Sequence, residues 1–207
     1  ASAFGPDLVG SSLRNIDDSV SQRKQTFFDG LRSLCADVRR STRAPIVLGG
    51  SGFSIFPEEL LRLSTADYGI QGEGEQPLLA LLDALHNGTP LDALSGLVRR
   101  DGDRIVVQTR HAATPAAEIT AAERTDALAA YYLEKTSMLN VQTQRGCALG
   151  CCYCTYPLLE GRFYRRRPPE AVADELESLT RRGVRYVFVV DSVFNTSPGH
   201  VTGICET

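Results

Sequence analysis

A chain of 207 residues with 43% hydrophobic and 23% charged side chains has the composition of one globular domain or two small ones. No apolar run reaches membrane-spanning length and no signal-peptide pattern is visible, so we expect a cytoplasmic protein with no membrane partner. The net charge of −3 gives no electrostatic reason to expect a nucleic-acid partner.

The first part of the chain alternates short apolar strands with amphipathic helices. Strands are predicted over residues 8–12, 45–48 and 67–70, and apolar residues recur at helical spacing between and after them. This alternation predicts a parallel sheet covered by helices. After Gly88 the pattern changes to a hairpin around Asp101-Gly102-Asp103.

Residues 112–130 are rich in Ala, Thr and Glu, which indicates a connection between domains. A second α/β unit is predicted to begin at Leu139. Its strand over residues 184–190 is mostly apolar, which is typical of a parallel strand covered on both faces. The basic run over residues 165–167 is short, and we expect it to be a solvated surface.

Four of the six cysteines fall within residues 147–154, an arrangement that favours metal binding over a disulfide scaffold. With Cys152 set aside, they form a C-x3-C-x2-C pattern: Cys147, Cys151 and Cys154. Three thiolates can hold three irons of a cubane and leave the fourth iron open. A zinc site would need another ligand, which Cys152 is too close to supply comfortably. Inert core thiols are the remaining alternative, although they would not cluster so tightly.

This loop, with an aromatic residue before its last cysteine and a strand before its first, resembles the signature of the radical S-adenosylmethionine (SAM) superfamily. The resemblance implies a [4Fe-4S] cluster on the three cysteines, SAM bound at the open iron, and Tyr153 near the adenine. Asp191 and Asn195, after the strand ending at Val190, would face SAM. An equal alternative makes Asp191 a helix N-cap.

The first part of the chain resembles the cobalamin-binding domain that often precedes radical SAM barrels. Small residues follow its predicted strands, where a sheet's switch point leaves a crevice for a large planar cofactor. The resemblance assigns to cobalamin the following residues: Ser11, Leu13, Gly49, Gly50, Gly72, Glu73 and Gly74. A Rossmann-like domain that has lost cobalamin or binds another ligand is the alternative.

The predicted fold class is therefore α/β, with a partial Rossmann/flavodoxin-like cobalamin-type domain followed by the start of a radical SAM partial (β/α) barrel. We expect a truncated cobalamin-type domain over residues 1–88, a hairpin and linker over 89–137, and a truncated radical SAM domain over 138–207. This chain alone is then expected to be inactive.

The resemblance implies a cobalamin-dependent radical SAM methyltransferase that acts on an unactivated carbon or phosphorus centre. It also implies a small-molecule or natural-product substrate and an electron donor such as flavodoxin or ferredoxin. The alternatives are a radical SAM enzyme that does not methylate and a non-catalytic cofactor-binding module.

Overall fold

The computed structural model describes residues 4–20, 22–110, 119, 121 and 123–207. The chain forms two compact units, Ala1–Ala112 and Ala113–Thr207. Nine residues of the predicted connection over 112–130 lie outside the described residues, and its last part belongs to a helix that begins at Asp126. None of the helices in the described residues is both long and apolar enough to cross a membrane.

The first unit is a five-stranded sheet with helices packed against it. Its strands lie in chain order: β1 (Val9–Ser12), β2 (Ile46–Gly49), β3 (Tyr68–Ile70), β4 (Leu97–Asp101) and β5 (Arg104–Val107). Its helices are α1 (Phe28–Ser41), α2 (Ser51–Ile55), α3 (Pro57–Leu63) and α4 (Glu75–Asn87). Strands β1, β2 and β3 are parallel, and β4 is antiparallel to both of its neighbours. The predicted α/β class is confirmed.

Two hydrophobic layers cover the two faces of this sheet, and the alternation along β2 separates them. Ile46 and Leu48 pack with Phe53 and the buried residues of α1 and α3, whereas Val47 packs on the other face with Leu81 of α4. Side chains of a strand point alternately to opposite faces, so a run of apolar residues is what a doubly covered strand requires.

The hairpin β4–β5 extends this sheet. The sequence-based division at residue 88 separated it from the strands, whereas in the structure Leu97 pairs with Ile70 and Val98 with Gly69. Leu97 and Val98 are both buried and lie in different hydrophobic layers. The hairpin therefore completes the core of the first unit, which its turn signal alone did not reveal.

The second unit contains a parallel pair of strands with helices packed against it. Its strands are β6 (Met138–Val141), β7 (Gln144–Arg145), β8 (Arg165–Arg166) and β9 (Tyr186–Val189), and its helices are α5 (Asp126–Thr136), α6 (Tyr156–Glu160), α7 (Pro169–Arg181) and α8 (Pro198–Glu206). Strand β6 is parallel to β9, and β7 is antiparallel to β8. The hydrophobic core of this unit is built from residues of α5, β6, α7 and the turn before β9.

Strand β9 differs from the prediction that both of its faces are covered. Tyr186 and Phe188 are 65% and 59% exposed. In the described part of the chain β9 pairs with β6 on one side and is otherwise an edge strand. The described residues form no closed barrel, and β9 is exposed along most of its length.

Candidate metal centre and cofactor crevice

The cysteine loop leaves the end of β7 through a turn that only glycine can make. Gly146 has φ +86°, and a Cβ at this position would overlap the carbonyl oxygen of Phe163. Its N–H donates to Glu160 Oε2 (3.0 Å), and the N–H of Cys147 donates to the carbonyl oxygen of Gly161 (3.1 Å). These bonds hold the start of the loop against the last residue of α6 and the glycine that follows it.

The four loop cysteines are free thiols, but their surroundings differ. Cys147 is 5% exposed and Cys154 is half-buried, whereas Cys151 and Cys152 are exposed. The N–H of Cys154 donates to the carbonyl oxygen of Cys151 (3.2 Å), which closes a turn between these two residues.

No group of three or more His, Cys, Asp or Glu side chains in the described residues is arranged to hold a single metal ion. A cubane makes a different demand, because each thiolate binds its own iron and the sulfurs need not converge on one point. Three free thiols on one short loop are a soft donor set that suits an iron–sulfur cluster. The donor chemistry therefore fits such a cluster.

Tyr164 lies beside Cys147 and was not identified from the sequence. Its hydroxyl is 3.9 Å from Cys147 Sγ. The Arg166 guanidinium lies over its ring, 5.3 Å from the centroid. Burial raises the pKa of the Tyr164 phenol, and the contact with Cys147 raises it further. The phenol is therefore protonated at neutral pH and is a hydrogen-bond donor next to this sulfur.

Asp191 binds the strand end that precedes the cysteine loop. Its Oδ1 accepts from the N–H groups of Thr143 (2.7 Å) and Gln144 (3.2 Å), and its Oδ2 accepts from Thr143 Oγ1 (2.6 Å). The alternative role as a helix N-cap is wrong, because α8 begins at Pro198 and its cap is Ser197, whose Oγ accepts from the N–H of His200 (3.4 Å). The next residue, Ser192, donates from Oγ to the carbonyl oxygen of Gly146 (2.9 Å).

Two further side chains extend this network, and neither was identified from the sequence. The buried Gln144 donates from Nε2 to the carbonyl oxygen of Val193 and accepts from Thr196 Oγ1 (3.2 Å). His200 Nε2 lies 3.4 Å from Thr143 Oγ1. Burial lowers the pKa of His200, the nearby Arg166 lowers it further, and Asp191 partly opposes this. The loop after β9 is thus tied to the base of the cysteine loop.

The two other residues assigned to SAM are open to solvent. Tyr153 is 86% exposed near the end of the cysteine loop, and Asn195 is exposed in the turn that follows β9. An exposed side chain can contact a bound molecule, so neither position contradicts the assignment to SAM. Exposure alone does not support that assignment either. Their assignment remains a prediction.

The basic run over residues 165–167 is not the solvated surface that was expected. Arg165 and Arg167 are 3% and 4% exposed, and Arg166 between them is exposed. Arg167 Nη1 forms an ion pair with Glu175 Oε2 (2.5 Å) and donates to the carbonyl oxygen of Gln142 (2.9 Å). Alternation along the extended chain turns the first and third arginines inward, where they have acceptors.

The residues assigned to cobalamin lie at the carboxyl ends of β1, β2 and β3. Ser11 and Leu13 line an open cleft of about 550 Å³ whose other wall is formed by residues 24–34. Gly49 ends β2, and Gly72, Glu73 and Gly74 follow β3. Parallel strands place these ends at the same edge of the sheet, as the prediction required.

The glycines of this edge do not share one role. A Cβ on Gly49 would meet nothing closer than the carbonyl oxygen of Ile70 at 3.9 Å. Gly50 has φ +94°, and a Cβ there would lie 2.5 Å from Ser12 Oγ and 2.6 Å from the carbonyl oxygen of Leu13. The space on the Cβ side of Gly50 is filled by its own chain, so the local backbone already requires glycine there. Its assignment to cobalamin remains a prediction. Gly72 resembles Gly50, with φ +86° and the Arg110 guanidinium 2.6 Å from the Cβ position.

No protein-family model matches the chain. Among curated proteins, the tryptophan 2-C-methyltransferase of Streptomyces laurentii is 28% identical over 94% of this chain and 41% of its own length. An uncharacterised methyltransferase of Pyrococcus horikoshii is 27% identical over 92% of this chain and 40% of its own length. The chain thus spans about two fifths of these relatives.

Solved structures agree with these matches. The radical SAM methyltransferase TsrM of Kitasatospora setae is 28% identical and has a TM-score of 0.83 over 97% of this chain and 40% of its own. It has been solved with tryptophan and a SAM analogue, and also with cobalamin and a [4Fe-4S] cluster. The cobalamin-dependent radical SAM enzyme OxsB, at 20% identity and a TM-score of 0.75, covers 99% of this chain and shares the fold. The resemblance to cobalamin-binding radical SAM enzymes that the sequence indicated is therefore confirmed over nearly the whole chain.

Proposed function

We propose that this chain is part of a cobalamin-dependent radical SAM methyltransferase. The observation that carries the proposal is the likeness to TsrM, which extends over 97% of this chain and includes both units. Because the chain spans 40% of TsrM, the activity of the whole protein is part of the proposal.

In this proposal the radical SAM portion is residues 138–207, and Cys147, Cys151 and Cys154 hold the cluster. When bound, the cluster supplies the electron that cleaves SAM, and cobalamin carries the methyl group to be transferred. The protein's own contribution is to hold the loop. Asp191 fixes the strand end before it through three hydrogen bonds, so that the cysteines start from a rigid base.

Tyr153 and Asn195 are assigned to SAM binding. Both side chains are exposed, so neither has to leave a buried position to contact SAM. Cobalamin is assigned to the first unit, at the edge of the sheet where β1, β2 and β3 end. Gly49 supports this assignment better than Gly50, because the space beside it is free. Ser11 and Leu13 support it through the cleft that they line.

The substrate is proposed to be a small molecule or natural product, and the electron donor a flavodoxin or ferredoxin. A carbon centre is favoured over phosphorus, because the curated Streptomyces relative is named for methylation at carbon. The same proposal places the protein in the cytoplasm.

The test is anaerobic reconstitution of the chain with iron and sulfide. Replacing Cys147, Cys151 or Cys154 by Ala should in each case abolish the cluster, because each thiolate holds its own iron. Cys152→Ala is the matched control from the same loop and should retain it. Iron and sulfide counts per chain, with the visible absorption, provide the measurement. A cluster that is lost with Cys152 and survives the other three replacements contradicts the ligand assignment.

A further inference from the structure

The contact between Tyr164 and Cys147 follows from the pairing of β7 with β8. Arg145 pairs with Arg165 in antiparallel register, and continuation of that register brings Tyr164 opposite Gly146. The close approach of the two segments at Gly146, where a Cβ would overlap the Phe163 carbonyl, agrees with this. The strand pair therefore directs the phenol to the first cysteine of the loop.

The Tyr164 ring is also held from its outer side. Arg166 lies over the ring at 5.3 Å from the centroid, and its Nη2 donates to Thr196 Oγ1 at 3.2 Å. A cation over an aromatic face is attracted by the ring and favours one orientation of it. The hydroxyl is thereby kept near the sulfur, 3.9 Å from Cys147 Sγ.

Hydrogen bonds to the sulfurs are among the factors that set the reduction potential of an iron–sulfur cluster. A thiolate that ligates iron has no proton, so in this pair only the tyrosine hydroxyl donates. Such a bond withdraws negative charge from the sulfur. The reduced cluster carries one more negative charge than the oxidised cluster and gains more from the bond.

We propose that Tyr164 donates a hydrogen bond to the Cys147 sulfur and raises the reduction potential of the cluster on this loop. The proposal rests on the proposed function through the role of Cys147 as a ligand. Tyr164 acts through that ligand and is a positioning and tuning residue. No bond to carbon forms or breaks: one electron passes from an external reductant to the cluster.

The test compares Tyr164→Phe with the unchanged chain after reconstitution with iron and sulfide. Phenylalanine keeps the ring and its packing against Arg166 and removes only the hydroxyl. The cluster is counted first, by iron and sulfide per chain. Its potential is then measured by reductive titration with dithionite and electron paramagnetic resonance. We expect a lower potential in Tyr164→Phe, by about 59 mV for a tenfold weaker one-electron reduction.

Tyr156→Phe is the matched control, since it removes a hydroxyl from the helix that follows the loop. Its potential should equal that of the unchanged chain. A full cluster with an unchanged potential in Tyr164→Phe overturns this inference and leaves the proposed function intact. Loss of the cluster in Tyr164→Phe assigns the hydroxyl a structural role and also overturns it. Absence of a cluster from the unchanged chain refutes the proposed function itself.

Discussion

The adjacent glycines 49 and 50 provide a sharp test of the crevice geometry. Gly50 has φ +94° and ψ 170°, a region that essentially only glycine occupies. Placing another residue there costs about 1–3 kcal/mol in backbone strain. The added Cβ would also lie 2.6 Å from the Leu13 carbonyl oxygen. That oxygen cannot retreat freely, because it accepts from the N–H groups of Gly52 (2.8 Å) and Phe53 (3.4 Å).

Overpacking of this kind costs about 1–3 kcal/mol, so Gly50→Ala should lower the free energy of unfolding by about 2–6 kcal/mol. Gly49→Ala is the control. It adds the same methyl group in β2, where the nearest atom lies at 3.9 Å, and should change the free energy by less than about 1 kcal/mol. Urea unfolding of the chain, followed by circular dichroism, measures both variants.

Two results would refute this reasoning: a Gly50→Ala variant as stable as the unchanged chain, or a Gly49→Ala variant as unstable as Gly50→Ala. Cobalamin titration of the same variants separates the two roles. The folded fraction of Gly50→Ala should bind cobalamin normally, because its methyl group points into the chain. A larger side chain at Gly49 would instead occupy free space at the strand ends.

Two further predictions concern the network beneath the cysteine loop. Asp191→Ala should lower the free energy of unfolding of the cofactor-free chain by about 3 kcal/mol. Hydrogen bonds to a charged acceptor contribute about 1.5–3 kcal/mol each, and water replaces part of this contribution in the variant. Asp191→Asn keeps an acceptor oxygen and should cost about 1 kcal/mol. Unchanged stability of both variants in urea, with weaker SAM binding, would show that Asp191 serves SAM instead. Because the pKa of His200 is lowered, the folded state prefers the neutral ring. The stabilisation that follows from this preference is complete above the unfolded pKa of 6.5, and it is lost as the pH falls through the lower folded pKa. His200→Gln should therefore flatten the acid side of the stability profile, and an unchanged slope in urea unfolding at several pH values would contradict this.

Much of the fold and the centre of the site could be predicted because they depend on short-range patterns. The alternation of apolar strands and helices identified the α/β class, and the spacing of the loop cysteines identified the candidate ligands. Both depend on residues that lie close together in the chain. The prediction for the basic run failed because composition does not reveal which side of an extended segment faces the core.

The sequence by itself determined the strand–helix alternation, the cysteine loop and the resemblance to cobalamin-binding radical SAM enzymes. Tertiary structure alone decided which atoms meet across long stretches of chain. Asp191 reaches Thr143 because β9 lies beside β6, and Tyr164 reaches Cys147 because β8 pairs with β7 in one register. Gly50, which follows β2, is confined by Leu13, which follows the neighbouring strand β1. The physical reason is that local periodicity specifies an element and the face it buries, whereas strand order and register determine which distant side chains become neighbours.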